Sequence, residues 1–322
     1  VILMRISIKG LGISGLYLYE RLKQSGFDVT AFDVRRRDFY IPCAYATNFN
    51  LMKPFMSRIG IDFDNYVLFR SETITMSGEN GSEIEFPSAG LVTFDRNGLQ
   101  RDMMNRIEME TETKADLVVD ATGISRSYLG RINGDLTYYT KEYLTDHVIH
   151  RDFYFLFLNR GVGYLWEFPL DRGHFHVGIG SIRRDDLNRI DRYNRIRITG
   201  RRIRMKPLFE VASIGNIVGI GESVGTVSPL TGEGILPSIE SAELLYQAIS
   251  DKSDPNEAIR LYLKKLNTSF SHYYKLSDFV RKVQTGKLLR PSNIRYASLI
   301  TKDMKHFGID FSLGKAVRAL IQ

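Results

Sequence analysis

The first thirty-odd residues change their hydrophobic period twice. Met4-Arg5-Ile6-Ser7-Ile8-Lys9 reads as a strand, and residues 14–25 run as an amphipathic helix closed by Gly26. Phe27-Asp28-Val29-Thr30-Ala31-Phe32-Asp33 reads as a second strand. A long excursion over residues 35–97 follows, with a helix predicted near 52–59 and short strands at 66–76, 82–87 and 90–93. A helix over 97–109 then leads to the hydrophobic strand Ala115-Asp116-Leu117-Val118-Val119-Asp120. Residues 153–158, 163–170 and 174–182 alternate like an antiparallel sheet, with Asp171-Arg172-Gly173 as a hairpin turn. A buried strand over 216–225 and a helix over 237–250 resume the opening pattern, and the tail beyond 256 is mostly helical. This order predicts an α/β fold with an α+β insertion. The α/β pieces are placed at 1–60, 96–135 and 213–255, substrate-side strands at 61–95, an antiparallel-sheet substrate domain at 136–212, and a basic helical region at 256–322.

The join between the first strand and helix carries the chemistry. Gly10-Leu11-Gly12-Ile13-Ser14-Gly15 matches GxGxxG. The first glycine permits the tight turn, the second lets backbone approach a pyrophosphate, and the third lets helix pack close to strand. Asp33, 18 residues beyond Gly15, stands where a carboxylate binds an adenosine ribose. A nucleotide-binding Rossmann unit is therefore expected.

Two later segments narrow the choice of dinucleotide: Asp120-Ala121-Thr122-Gly123 and Glu222-Ser223-Val224-Gly225-Thr226-Val227-Ser228-Pro229-Leu230-Thr231-Gly232-Glu233-Gly234-Ile235. With the glycine turn they resemble FAD-containing oxidoreductases of the glutathione-reductase-like superfamily. That resemblance implies FAD, with the ADP half at the first turn and Glu222 at the ribityl chain and pyrophosphate. It also implies a second helix N-terminus, at residues 232–235, aimed at the flavin N1/O2.

Within the superfamily, Gly163-Tyr164-Leu165-Trp166-Glu167-Phe168-Pro169 resembles the YxWxFP segment of the geranylgeranyl reductase family, and residues 222–235 resemble its GDAAGxxxPxxGxGI. Pro42-Cys43 lies where the family places a cysteine near the flavin. Val92-Thr93-Phe94-Asp95-Arg96 resembles the V-x-R segment whose arginine contacts FAD. The resemblance implies a glutathione-reductase-like FAD domain that holds its cofactor through Gly10, Gly12, Ser14, Gly15, Asp33, Cys43, Ala44, Ala46, Arg96, Ala121, Gly123, Glu222, Gly232, Gly234 and Ile235. It implies hydride transfer from N5 of reduced FAD to a C=C bond of an isoprenoid chain, with protonation of the adjacent carbon. Three departures stand out: Ile13 replaces a proline, Glu222 an aspartate, and Ala44-Tyr45-Ala46 a glycine-rich run, so the backbone after Cys43 is bulkier.

Composition sets outer bounds. The 322 residues are 43% hydrophobic and 25% charged, an ordinary globular balance. A single cysteine excludes an internal disulfide framework and agrees with a cytoplasmic protein. No apolar run approaches a membrane span, and the start carries no cleavable signal pattern. Charge is uneven: residues 251–322 hold 14 Lys and Arg against 6 Asp and Glu, a surplus of 8, so the rest stands at −1 in a total of +7. A second basic stretch spans 183–206. Both stretches read either as a solvated helical face or as a surface for anionic membrane, on the inner face, where each cation gains about 1 kcal/mol. No nucleic-acid motif accompanies them.

The reactive candidates keep alternatives. Cys43 is either a small core residue or an acid near the flavin, and Tyr164 is the second candidate acid. Tyr164, Trp166 and Phe168 share one strand face, as a core stripe or as the wall of a prenyl channel. His174 and His176 read as sheet surface, since no third ligand completes a metal site. The donor of electrons is ferredoxin or NAD(P)H, because no second GxGxxG marks a nicotinamide domain. A flavin monooxygenase and a non-catalytic FAD- or lipid-binding protein are the competing readings.

Overall fold

In the computed structural model, which describes residues 4–34, 39–110, 114–286, 296–312 and 314, the chain begins with β1 (Arg5–Lys9), α1 (Ile13–Gln24) and β2 (Asp28–Phe32). The excursion contributes β3 (Ala46–Asn48), α2 (Phe49–Arg58), β4 (Val67–Arg70), β5 (Thr73–Gly78), β6 (Glu83–Pro87) and β7 (Leu91–Phe94). Next come α3 (Arg96–Met104), β8 (Leu117–Asp120), β9 (Thr137–Thr145), β10 (Phe153–Phe157), β11 (Gly163–Pro169), β12 (Phe175–Ser181) and β13 (Arg197–Arg204). The chain returns through β14 (Ser213–Ile214), β15 (Ile217–Gly219) and α4 (Ile235–Asp251), and continues with α5 (Pro255–Phe270), α6 (His272–Gln284) and α7 (Ala297–Phe307).

A five-stranded sheet, β14-β15-β8-β1-β2, is parallel except for the β14–β15 hairpin. β1 is buried along Ile6–Lys9, as a central parallel strand must be. α1 and α4 pack together on it, joined by Tyr17 donating to Glu243 at 2.7 Å and by Arg21 pairing with the same carboxylate at 3.0 Å. A second sheet runs β13-β9-β12-β11-β10-β5-β6, and β3-β7-β4 form a third. Among the described residues no helix is long and apolar enough to cross a membrane.

The second sheet corrects the antiparallel expectation. β5, from the early excursion, joins β10 in parallel, so the sheet is mixed. Two of its strands, β9 and β13, had no sequence forecast. Glu142 within β9 and the arginines of β13 break the apolar alternation that marked their neighbours. Hence the 183–206 stretch is helical only in part: a 3-10 helix spans Arg184–Arg192, the remainder ends in strand β13, and Arg204 is buried against Asp135 at 2.7 Å. Part of the basic tail lies outside the described residues. The late strand is also shorter than its apolar run, because the backbone coils into a turn at Gly221–Val224 that carries Glu222.

Candidate functional site

One cavity of about 930 Å³ joins the carboxyl ends of the parallel strands to the inner face of the seven-stranded sheet. At one end stand the glycine turn and Asp33. Gly10 has φ +98° and a Cβ there would lie 2.5 Å from the Ala121 carbonyl oxygen. Gly12, the N-cap of α1, has nothing within 4 Å of its Cβ position and lines the cavity. Gly15 is the exception among the predicted site residues, since it does not line the cavity: it packs so that a Cβ would meet the Gly10 carbonyl oxygen at 2.1 Å. Its role is helix-to-strand contact. Asp33 accepts the Leu11 N–H, which anchors the turn and leaves the carboxylate on the cavity wall. Neither α1 nor α4 has an N-cap side-chain bond from the cap residue itself or an acidic residue in its first turn. Two positive helix ends thus open on one cavity, a fit for a dinucleotide diphosphate.

The turn after β8 is held by Asp120, fully buried, which accepts the Thr122 and Tyr128 N–H groups at 3.0 Å and the Leu129 N–H at 2.9 Å. Ala121 and Gly123 therefore present backbone to the cavity. Glu222 also lines it, yet its carboxylate pairs with the Arg201 guanidinium and accepts the Arg204 N–H at 2.9 Å. A ligand hydroxyl at this carboxylate shares it with Arg201. At the entry of α4, Gly232, Gly234 and Ile235 line the cavity, and Glu233 places a carboxyl between them. One Glu233 oxygen accepts the Leu236 N–H at 3.0 Å and the other has no partner. Burial pushes this carboxyl up to about 7, against the Leu236 amide and the charge of His306.

Cys43, Ala44 and Ala46 form the opposite wall. The half-buried Cys43 Sγ accepts the Tyr45 N–H at 3.3 Å. Tyr45 takes φ +62°, a conformation that costs an L-residue about 1–2 kcal/mol. Two contacts hold it there: the Asn97 side-chain amide donates to its hydroxyl, and its ring stands edge-on to His176 at 4.5 Å. Arg96, also on the cavity wall, donates to Gln100 at 2.9 Å.

The sheet face closes the other end. Tyr164, Trp166 and Phe168 all line the cavity, and Trp166 and Phe168 also belong to the main hydrophobic core. The stripe is thus both core and cavity wall. The Tyr164 hydroxyl donates to the Thr231 carbonyl, so strand β11 is pinned to the segment leading into α4. His176 corrects the surface assignment: it is buried, accepts or donates with the Tyr40 hydroxyl at 3.2 Å, and is pushed down to about 3 by burial, so it is neutral. Among the described residues no group of three His, Cys, Asp or Glu could hold a metal.

Several cavity residues had no sequence signal of their own. Lys9 is buried beside the glycine turn, its ammonium 5.5 Å from the Phe32 ring and 5.8 Å from that of Tyr128. Glu142 and Arg201 sit on strands that the hydrophobic pattern did not reveal. Glu233 lies inside the Pro229–Ile235 run, yet sequence reasoning did not single it out.

No family model matches the chain. An uncharacterized protein of Methanocaldococcus jannaschii is 25% identical over 355 residues, covering 89% of this chain and 95% of that protein. Among solved structures, a geranylgeranyl bacteriochlorophyll reductase-like protein of Thermoplasma acidophilum aligns with 99% of this chain and 96% of its own, at TM-score 0.72 and 14% identity. PqsL of Pseudomonas aeruginosa, solved with 2-aminobenzoylacetate, covers 87% and 96% respectively at TM-score 0.69 and 14% identity. HpxO of Klebsiella pneumoniae, complexed with FAD and uric acid, covers 94% and 92% at TM-score 0.64 and 16% identity. The fold is that of the FAD-binding oxidoreductases, as the three glycine-containing segments implied.

Proposed function

We propose that the protein is an FAD-dependent reductase that saturates C=C bonds of isoprenoid chains, in membrane lipids or their precursors. The observation that carries this reading is the single cavity running from the glycine turn to the aromatic wall of Tyr164, Trp166 and Phe168. The shared fold with a geranylgeranyl bacteriochlorophyll reductase-like protein supports it. When bound and reduced, FAD would supply the hydride. The chain's own residues do the rest. Gly10, Gly12 and the first turn of α1 hold the diphosphate, Asp33 takes the ribose, and Arg96, Ala121, Gly123 and Glu222 bound the middle of the cofactor. Gly232, Gly234 and Ile235, with Cys43, Ala44 and Ala46, would hold the ring, and the rings of β11 would exclude water from the alkene. Cys43 and Tyr164 are the acids that sequence reasoning offers. Electrons come from NAD(P)H or a ferredoxin-type donor, and the basic tail would face an anionic lipid surface.

The test is anaerobic incubation of the dithionite-reduced protein with geranylgeranyl lipids, read by mass spectrometry. Products heavier by two hydrogens per saturated bond are expected from a yellow protein holding one FAD. A colourless protein that cannot be reconstituted with FAD overturns the reading. The second reading, a flavin monooxygenase, is favoured by the likeness to PqsL, described as a probable FAD-dependent monooxygenase. It predicts oxygen uptake and a hydroxylated product in place of added hydrogen.

A further inference from the structure

We propose that Glu142, rather than Cys43 or Tyr164, hands the proton to the substrate carbon beside the one that receives the hydride. The inference rests on the reductase reading and supplies the acid it needs. One cross-strand row sets the geometry: Trp166, Gly178, Glu142 and Thr199 stand side by side on β11, β12, β9 and β13. Gly178 leaves the room in which the indole lies, for a Cβ there would fall 2.2 Å from Trp166 Cζ2. Glu142 lines the cavity and is 3% exposed. Neither of its oxygens, nor the Trp166 Nε1, has a hydrogen-bond partner. A buried polar group left so costs about 1–3 kcal/mol, and three together mark a place where a ligand completes the bonding.

The other sides of Glu142 are accounted for. β12 offers His176, whose Nδ1 is 3.8 Å from the carboxyl and which is neutral. The Thr199 hydroxyl of β13, the Cys43 amide of the 40–45 loop, the Trp166 N–H of β11 and the Arg96 charge of α3 all favour the ionised carboxylate, but none of them meets hydrogen-bond geometry with it. Burial outweighs these and pushes the carboxyl up to about 8, so it carries its proton near neutral pH and sits close to the value at which a general acid is most effective. Of the rival groups, Tyr164 has its O–H committed to the Thr231 carbonyl, whereas Cys43 accepts the Tyr45 N–H at sulfur and keeps its S–H proton, so the comparison of E142Q with wild type decides between Glu142 and Cys43.

In the step, one alkene carbon takes the hydride of the reduced flavin and forms a C–H bond with its electron pair. The π pair of the C=C bond forms the second C–H bond with the Glu142 proton. The flavin ends oxidised by two electrons and is re-reduced by the NAD(P)H- or ferredoxin-class donor, and the Glu142 carboxylate regains its proton from water.

The test compares FAD-loaded wild-type protein with Glu142→Gln and Glu142→Asp. Infrared spectra taken before substrate should show the carbonyl stretch of a neutral carboxyl that disappears in E142Q. In anaerobic stopped flow, E142Q should keep its FAD and its reduction by dithionite, yet reoxidise with geranylgeranyl lipid about 10²–10⁴-fold more slowly. The wild type should show a solvent deuterium isotope effect on that step, and E142D should recover part of the rate. E142Q within twofold of wild type, or no neutral-carboxyl band assigned to Glu142, overturns the proposal while leaving the reductase reading standing. A wild-type protein whose reduced flavin no prenyl lipid reoxidises overturns both.

Discussion

At the α1 end of the cavity a ligand meets backbone: Gly10, Gly12 and the uncapped first turn of the helix, steadied by one carboxylate at Asp33. At the sheet end it meets side chains, drawn from β9, β10, β11 and β13, which come together only through cross-strand register. For the diphosphate of the proposed cofactor, whose charge and shape vary little, a backbone turn suffices. The second end is where the proposed substrate would lie, and its chemistry depends on which side chains the pleat brings into one row. Strength differs as well. The glycine end is sterically closed to any Cβ at two positions, whereas the sheet end is adjustable, because a side chain there can be exchanged without moving backbone.

That difference predicts the largest effect at Gly10. Gly10→Ala places a Cβ 2.5 Å from the Ala121 carbonyl oxygen on a backbone at φ +98°. Strain of about 1–2 kcal/mol adds to overpacking of about 1–3 kcal/mol, and the turn must open to relieve them. FAD titration should show loss of binding and calorimetry a clear drop in Tm. An alanine variant that binds FAD as wild type does would mean the turn does not hold the diphosphate.

Next in size is Trp166→Ala. Removing a buried aromatic costs about 3–5 kcal/mol, and Trp166 belongs to both the core and the cavity wall. The variant should melt earlier and lose prenyl turnover while retaining FAD, since the glycine end is built independently. Loss of FAD together with the fold would instead couple the two ends and break the comparison.

The same contrast explains what the sequence could tell. The Gly10–Gly15 turn, Asp33 and the segment before α4 were legible because backbone-built sites need particular residues at fixed spacing, and Gly10, Gly12, Ser14, Asp33, Gly232 and Gly234 line the cavity. Tyr164, Trp166 and Phe168 were legible because alternation along one strand is itself a sequence pattern. Glu142 was not: its partner Trp166 is 24 residues away, and nothing in the linear chain shows that β9 and β11 lie on either side of Gly178. Nor could residue types alone reveal that the Glu222 carboxylate is shared with Arg201, since β13 had no strand signal.

A smaller effect is expected at Asp33. Its carboxylate makes one charge-assisted bond to the Leu11 amide and stands where the adenosine ribose hydroxyls would bind. Bonds of this kind contribute about 1.5–3 kcal/mol, so Asp33→Ala should weaken FAD by about ten- to a hundredfold. FMN, which has no adenosine, should bind the variant and the wild type nearly alike, apart from any loosening of the turn. An equal loss for both ligands would place Asp33 in turn architecture alone.

The smallest effect is in the pH dependence of stability, and it belongs to the sheet end and the α4 entry. Burial raises the Glu142 and Glu233 carboxyls to about 8 and about 7. A group raised on folding contributes stability that is full below its unfolded value, about 4.3 for glutamate, and lost as pH rises through the folded value. His176 works the other way, since burial lowers it to about 3. Its contribution is present above the unfolded value of about 6.5 and lost as pH falls. Between about pH 6.5 and 8 His176 is neutral in both states, and the slope comes from groups raised on folding: the two carboxyls, at no more than about 1.4 kcal/mol per pH unit for each, joined by His306, which Glu240 holds above its ordinary value against the opposing effect of burial. Tm should therefore fall as pH is raised across this interval. Glu142→Gln and Glu233→Gln should each flatten the fall, and the double variant more than either. A wild-type Tm that rises over the same interval would mean both carboxyls are ionised in the folded protein, and the sheet end would then present a charge to its ligand where the buried geometry calls for a proton.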